Sequence, residues 1–125
     1  MQIPADRADA SSLDALARQS VLLLCAGEFD ALAQSFGYAV SLDREPSSAI
    51  AADLRACLSE LGANSLASDP ELQTAVKYFK ADQDLLAVVE CTVLANNGAR
   101  LLVELVVTKQ GDQAHVCLEQ ISAAA

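Results

Sequence analysis

Five side chains in this 125-residue chain carry groups suited to acid–base work or polar recognition: the Tyr38 phenol, the Asp43 and Glu90 carboxylates, the Lys77 ammonium and the Gln120 amide. A carboxyl or ammonium group becomes a useful acid or base when an apolar pocket shifts its pKa toward the working pH. Lys77 and Glu90 are diagonal neighbours in the strand register derived below, and read either as an acid–base pair or as a salt bridge near a sheet edge. Tyr38 either aims its hydroxyl into a pocket or packs with that hydroxyl satisfied. Asp43 is followed by Arg44 and Glu45 and reads as part of a solvated loop. His115 is the single imidazole, falls on the outward face, and alone defines no mechanism. There is no Ser-His-Asp arrangement, phosphate-binding glycine-rich loop or metal-ligand cluster. The five residues are therefore candidate ligand-binding groups, with no catalytic residue, metal or cofactor assigned.

The composition bounds what such a site would meet. The length corresponds to one domain over residues 1–125, large enough to bury a core without staples. Hydrophobic residues make up 53% but aromatics only 4%, so the core is built from Ala, Leu and Val, with few rings for stacking bases or sugars. A net charge of −9 repels phosphate backbones and anionic headgroups, which argues against nucleic acid and membrane surfaces as partners. Cys25, Cys57, Cys91 and Cys117 are widely spaced among apolar residues, as buried free thiols are, and fit a reducing cytoplasm. The fragment LLLCAG looks like a lipoprotein cleavage site at Cys25. The apolar run before it, Val21 to Leu24, is shorter than the about 7–15 residues of a signal peptide's apolar region.

The elements that must position these groups follow from hydrophobic period. Residues 1–10 have none and are expected as a loose tail. Ser11 with Asp14 resembles a capping box, and Leu13, Leu16, Ser20, Leu23 and Leu24 predict a helix from Ser12 to Ala26. EFDALAQSF predicts a second, ended by Gly37. GYAVSLDRE, bounded by Gly37 and Pro46, reads as a strand. Ser47 or Ser48 is expected to cap a third helix with the stripe Ile50, Leu54, Cys57, Leu58 and Leu61. From Leu72 the period becomes two, and LQTAVKYFK, LLAVVECTVLA, RLLVELVVTK and QAHVCLEQIS predict an antiparallel meander through ADQD, Asn97-Gly98 and Gly111-Asp112.

Two-residue turns at both glycines pair Leu101 with Leu94, Val103 with Thr92, Leu105 with Glu90 and Leu118, and Val107 with Val116. One face then holds Phe79, Val88, Leu94, Leu101, Val103, Leu105, Val107, Val116 and Leu118, interrupted by Lys77, Glu90, Thr92 and Gln120. The other holds Val76, Tyr78, Val89, Cys91, Val93, Leu102, Val106, Cys117 and Ile121, with Glu104, Thr108, His115 and Glu119. A three-residue turn, Asn96-Asn97-Gly98, would instead set Glu90 against Glu104, an unfavourable like-charge pair, whereas the two-residue register sets only Glu104 against Glu119, near a sheet end beside solvent. Three helices cover only one side of this sheet, and the other is too apolar to stay bare. A second copy of the chain is the expected cover, giving a homodimer through the outer sheet face.

CAGEFDALAQSF resembles the small–Gly–acidic–aromatic–x–Ala–Leu helix junction of the nuclear-transport-factor-2-like superfamily, in particular its SnoaL-like members. GDQAHVCLEQISA is similar to the last strand of that group. The resemblance spans about residues 12–123 and implies a cystatin-like α+β cone of order α-α-β-α-β-β-β-β, with N-terminal helices packed on a curved antiparallel sheet. It implies a pocket between helices and concave face, and dimerisation through the convex face. Related domains often carry Trp where Ala114 stands and His at the positions of Leu118 and Gln120, so the usual proton-transfer groups are missing. The expected function is a cytoplasmic dimer that binds a small, mostly apolar molecule. The alternatives are an isomerase, dehydratase or cyclase using Glu90 or Asp43 as base with Tyr38 as donor, or a module that only oligomerises.

Overall fold

Two of the three helices begin where a carboxylate takes up the backbone N–H groups that a helix start leaves free. In a computed structural model describing residues 1–67, 72–80 and 84–124, α1 (Ala10–Cys25) is capped by Asp9, whose side chain accepts from the Ser12 N–H at 3.2 Å and the Ser12 hydroxyl at 2.7 Å. Asp9, two residues before Ser11, thus takes the capping role. α2 spans Phe29–Phe36. α3 spans Pro46–Glu60 and is capped by Glu45, which accepts from the N–H groups of Ser47 at 3.1 Å and Ser48 at 2.8 Å. Pro46 at the first helical position keeps Glu45 extended, so the cap falls there and not on a serine.

Leu13, Ala17, Val21 and Leu24 of α1, Leu32 and Phe36 of α2, and Ile50, Leu54, Cys57 and Leu58 of α3 recur at helical spacing and are buried. They lie on one face of a five-stranded antiparallel sheet of order β1-β5-β4-β3-β2. Its strands are β1 (Gln2–Pro4), β2 (Gln73–Tyr78), β3 (Leu85–Leu94), β4 (Arg100–Gln110) and β5 (Gln113–Ala123). The ADQD turn expected between β2 and β3 falls mainly on residues outside those described.

Two elements differ from expectation. The N-terminal residues are not loose: Gln2, Ile3 and Pro4 pair with His115, Ala114 and Gln113, and the Ala5 N–H donates to the Asp112 carbonyl at 2.9 Å. The strand expected over 37–45 shrinks to one parallel bridge between Tyr38 and Leu118, with the Ala39 N–H donating to the Leu118 carbonyl at 2.8 Å. Arg44 folds the segment back, its guanidinium donating to the carbonyls of Val40 at 2.8 Å and Ser41 at 3.2 Å. The element order is therefore β-α-α-α-β-β-β-β.

The first hairpin register also differs. The Ala95 N–H donates to the Ala99 carbonyl at 2.8 Å and the Gly98 N–H to the Ala95 carbonyl at 3.0 Å, with Gly98 at φ 85°. The turn thus has three residues, Asn96-Asn97-Gly98, with glycine in the left-handed position that such turns require. The slip of one residue inverts β3 and β2. Ala87, Val89, Cys91 and Val93 point to the helices, while Val88, Glu90, Thr92 and Leu94 join the outer face. The second hairpin keeps the expected Leu105–Leu118 and Val107–Val116 pairs. Beyond them a bulge at Glu119 sets Gln120, not Glu119, opposite Glu104, and turns Ile121 inward against Val103.

β2, an outermost strand, is tied to α1 by side chains. The Thr74 hydroxyl donates to Asp14, which also holds Arg18 at 2.8 Å, and the Tyr78 hydroxyl donates to the Ala8 carbonyl at 2.7 Å.

Leu42, at the tip of the 39–45 loop, has φ 56° and is 86% exposed. A branched side chain in the left-handed region costs about 1 kcal/mol or more, and here no burial offsets it. Leu42→Asn is expected to raise the urea-denaturation free energy by about 0.5–1 kcal/mol; an unchanged midpoint would show the loop to be unstrained.

Candidate functional site

The pairings lay the outer sheet face out in rows. Lys77, Val88, Val106 and Cys117 form one, and Ala75, Glu90, Glu104 and Gln120 the next. Gln73, Thr92, Leu102 and Ser122 follow, and Leu94 faces Arg100 at the end. The helices pack on the opposite side, and no described element lies over this one. Val88, Leu94, Leu102, Val106 and Cys117 are only half-buried there.

Glu90 stands directly across from Glu104, the opposition that the shorter turn would have avoided. Each carboxylate has its own partner: Lys77 Nζ lies 2.7 Å from Glu90 Oε1, and Gln120 Nε2 donates to Glu104 Oε1 at 2.9 Å. The bulge makes this possible by bringing an amide donor where a third carboxylate would have stood. The hydrogen bond and charge of Glu90, and beyond it the charge of Glu104, hold the Lys77 ammonium above its usual range. Lys77, Glu90 and Gln120 are thus neighbours on a solvent-facing surface, where the Lys77–Glu90 pair serves as a salt bridge. Glu104 completes the group. Only a three-residue turn at Gly98 would have pointed to it.

Tyr38 belongs to a different cluster. It is buried, and its hydroxyl donates to Asp53 Oδ2 at 2.6 Å. Arg44 grips the same carboxylate with two nitrogens, at 2.7 and 3.1 Å. Burial, then Asp53, push the Tyr38 phenol well up, and the Arg44 guanidinium holds the Asp53 carboxyl below its usual range. A protonated phenol and a paired carboxylate leave no idle acid or base, so the trio acts as a staple between the 39–45 loop and α3. Neither Arg44 nor Asp53 was singled out from sequence: they are nine residues apart, and Asp53 sits on the polar side of the α3 stripe. Asp43 is exposed beside Leu42 and hydrogen-bonds to neither cluster. His115 is exposed on the outer face, opposite Thr108 and Gln2.

The four cysteines are unpaired; burial pushes the Cys91 thiol up to about 12. No three His, Cys, Asp or Glu side chains among the described residues group as a metal site, and no described helix is long and apolar enough to cross a membrane. The helix–sheet interface is closed to solvent: Leu13, Leu24, Leu32, Phe36 and Ile50 share one core cluster with Leu101, Val103, Leu105 and Leu118, and all of these are at most 2% exposed. Clefts of about 400 Å³ lie outside it, between α2 and α3 and between β1 and α1. Comparison with protein-family models, with curated proteins and with solved structures finds no match to this chain.

Glu104→Gln keeps an acceptor for Gln120 and removes the cross-strand repulsion. It is expected to stabilise the fold by a few tenths of a kcal/mol, more at low salt, and a loss of stability would contradict this account. Asp53 carries the pH dependence of the other cluster. Its folded pKa is depressed, so its contribution is present above its ordinary value of 3.8 and is lost as pH falls through the lower folded value. Asp53→Asn is expected to destabilise the protein at neutral pH and to flatten part of its acid-induced decline. A decline as steep as wild type in urea melts from pH 7 to 2 would contradict that role.

Proposed function

We propose that this chain is a self-associating interaction module whose outer sheet face is covered by a second copy. The observation that carries this reading is the set of Val88, Leu94, Leu102, Val106 and Cys117 on a sheet face with no described element over it. A sheet face is self-complementary about a two-fold axis, so one patch can serve both partners. The charges suit it. Lys77 and Arg100 nearly balance Glu90, Glu104 and Glu119 among the residues of this face, although the chain as a whole carries −9. Two like-charged molecules would then meet where their repulsion is least. Strands of 6, 10, 11 and 11 residues, about 4.8 Å apart with about 3.4 Å per residue, present roughly 600 Å² in projection. That is of the order of the about 800 Å² per partner in a standard interface.

Assembly takes precedence over a ligand cavity beneath the helices because the side chains at that interface are closed to solvent as one core cluster, and the larger clefts lie elsewhere. The α+β plan also supports membership of the nuclear-transport-factor-2-like superfamily. What supports it is two helices, a third helix and an antiparallel meander in that sequence, although a single bridge at Tyr38 stands where the superfamily's strand is expected and β1 is added at the β5 edge.

Light scattering at tens of micromolar protein is expected to give twice the 13.1 kDa chain mass. Val106→Lys is expected to give a monomer with an unchanged circular-dichroism spectrum. A wild-type monomer, or a Val106→Lys dimer as tight as wild type, would overturn the reading.

A further inference from the structure

The groove between α2 and α3 serves neither the core nor the outer sheet face. Phe29, Ala51, Leu54 and Leu58 form its apolar floor, and its volume is about 400 Å³. Leu54 and Leu58 are otherwise buried, with 8% and 7% of their surface left open, and they line this groove. Arg55 and Asn64 line it too. Arg18 and Arg44 are each paired with an aspartate. Arg55, like Arg7 and Arg100, makes no side-chain hydrogen bond or ion pair among the described residues, and of these three it is the one that lines this groove. Asn64 is fixed through its backbone, whose N–H donates to the Asn96 side chain at 3.2 Å, and its own amide has no partner among the described residues.

The combination selects a ligand class. The volume falls within the about 300–1,000 Å³ typical of small-molecule sites. A guanidinium presents a planar fork of donors that matches a carboxylate, and an adjacent amide adds a further donor. One cation in a chain of net charge −9 suits a single negative charge and opposes a polyanion. The leucines and Phe29 give an apolar tail somewhere to lie. We infer that the α2–α3 groove binds a small amphipathic monocarboxylate, its tail on Phe29, Leu54 and Leu58 and its head on Arg55 with Asn64 beside it. The groove lies on the helix side of the sheet, so the assignment is independent of assembly through the outer face.

Octanoate, below its micellar concentration, and its neutral amide octanamide test this by two-dimensional amide NMR of the full chain. Saturable shifts centred on Ala51, Leu54, Leu58 and Asn64 are expected, with octanamide bound about tenfold or more weakly. Arg55→Gln, an exposed helix position, should erase the preference for octanoate without disturbing the rest of the spectrum. Ala51→Phe should fill the floor and block both probes while Arg55 remains. Any of three results would overturn the inference: no saturable shift, equal binding of the two probes, or shifts centred on the cleft between β1 and α1, lined by Arg7 and Leu16.

Discussion

The three-residue turn at Asn96, Asn97 and Gly98 decides what the two faces of the sheet are made of. It fixes β3 against β4, and through β3 it fixes β2, so one residue more or less would exchange the inner and outer side chains of both strands. The chosen register places Ala87, Val89, Cys91 and Val93 beneath the helices. It also sets Glu90 against Glu104. Magnitudes explain why this arrangement wins. The other register would exchange Val89, Cys91 and Val93 for Val88 and Leu94, a similar apolar burial, but would carry Glu90 and Thr92 inside with them, and an unpaired buried carboxylate costs several kcal/mol. The like-charge opposition costs under about 1 kcal/mol, and the Lys77 and Gln120 contacts reduce it.

The same comparison explains what the sequence allowed a reader to see. The three helices and the meander were legible because each is specified by many apolar side chains at a consistent period. The second hairpin was legible because Gly111-Asp112 admits a two-residue turn with matched strands. The first was not: Asn97-Gly98 satisfies a two-residue and a three-residue turn equally, since both need positive φ at the glycine. Like charge disfavours the longer turn on sequence alone, because Gln120 reaches Glu104 only through a bulge that leaves no mark on the alternation. β1 was hidden because three residues carry no period, and its pairing depends on an open edge of β5. The strand expected over 37–45 lost to Arg44, whose guanidinium takes carbonyls a neighbouring strand would have bonded.

For the candidate site, residue types were legible and their grouping was not. Lys77 and Glu90 do meet, and Gln120 lies in the row of Glu90, but on the surface and not in an enclosed chamber. Tyr38 is held by two residues that periodicity treats as ordinary polar positions. Grouping is a property of register and loop path, and both hung on single residues: Gly98 in one case and Arg44 in the other. The chemistry that results is mostly internal bonding, which is why the open surfaces, the outer sheet face and the α2–α3 groove, carry the functional argument.

The ties between α1 and β2 bear on how the molecule breathes. A border strand with hydrogen-bonded neighbours on one side would ordinarily fray first. Here Thr74 and Tyr78 are lashed to Asp14 and Ala8, so β2 cannot peel away while the segment leading into α1 stays docked. The second and fifth elements, α1 and β2, are thus coupled in opening, and the rim strand β2 is braced by the chain segment that leaves the opposite rim.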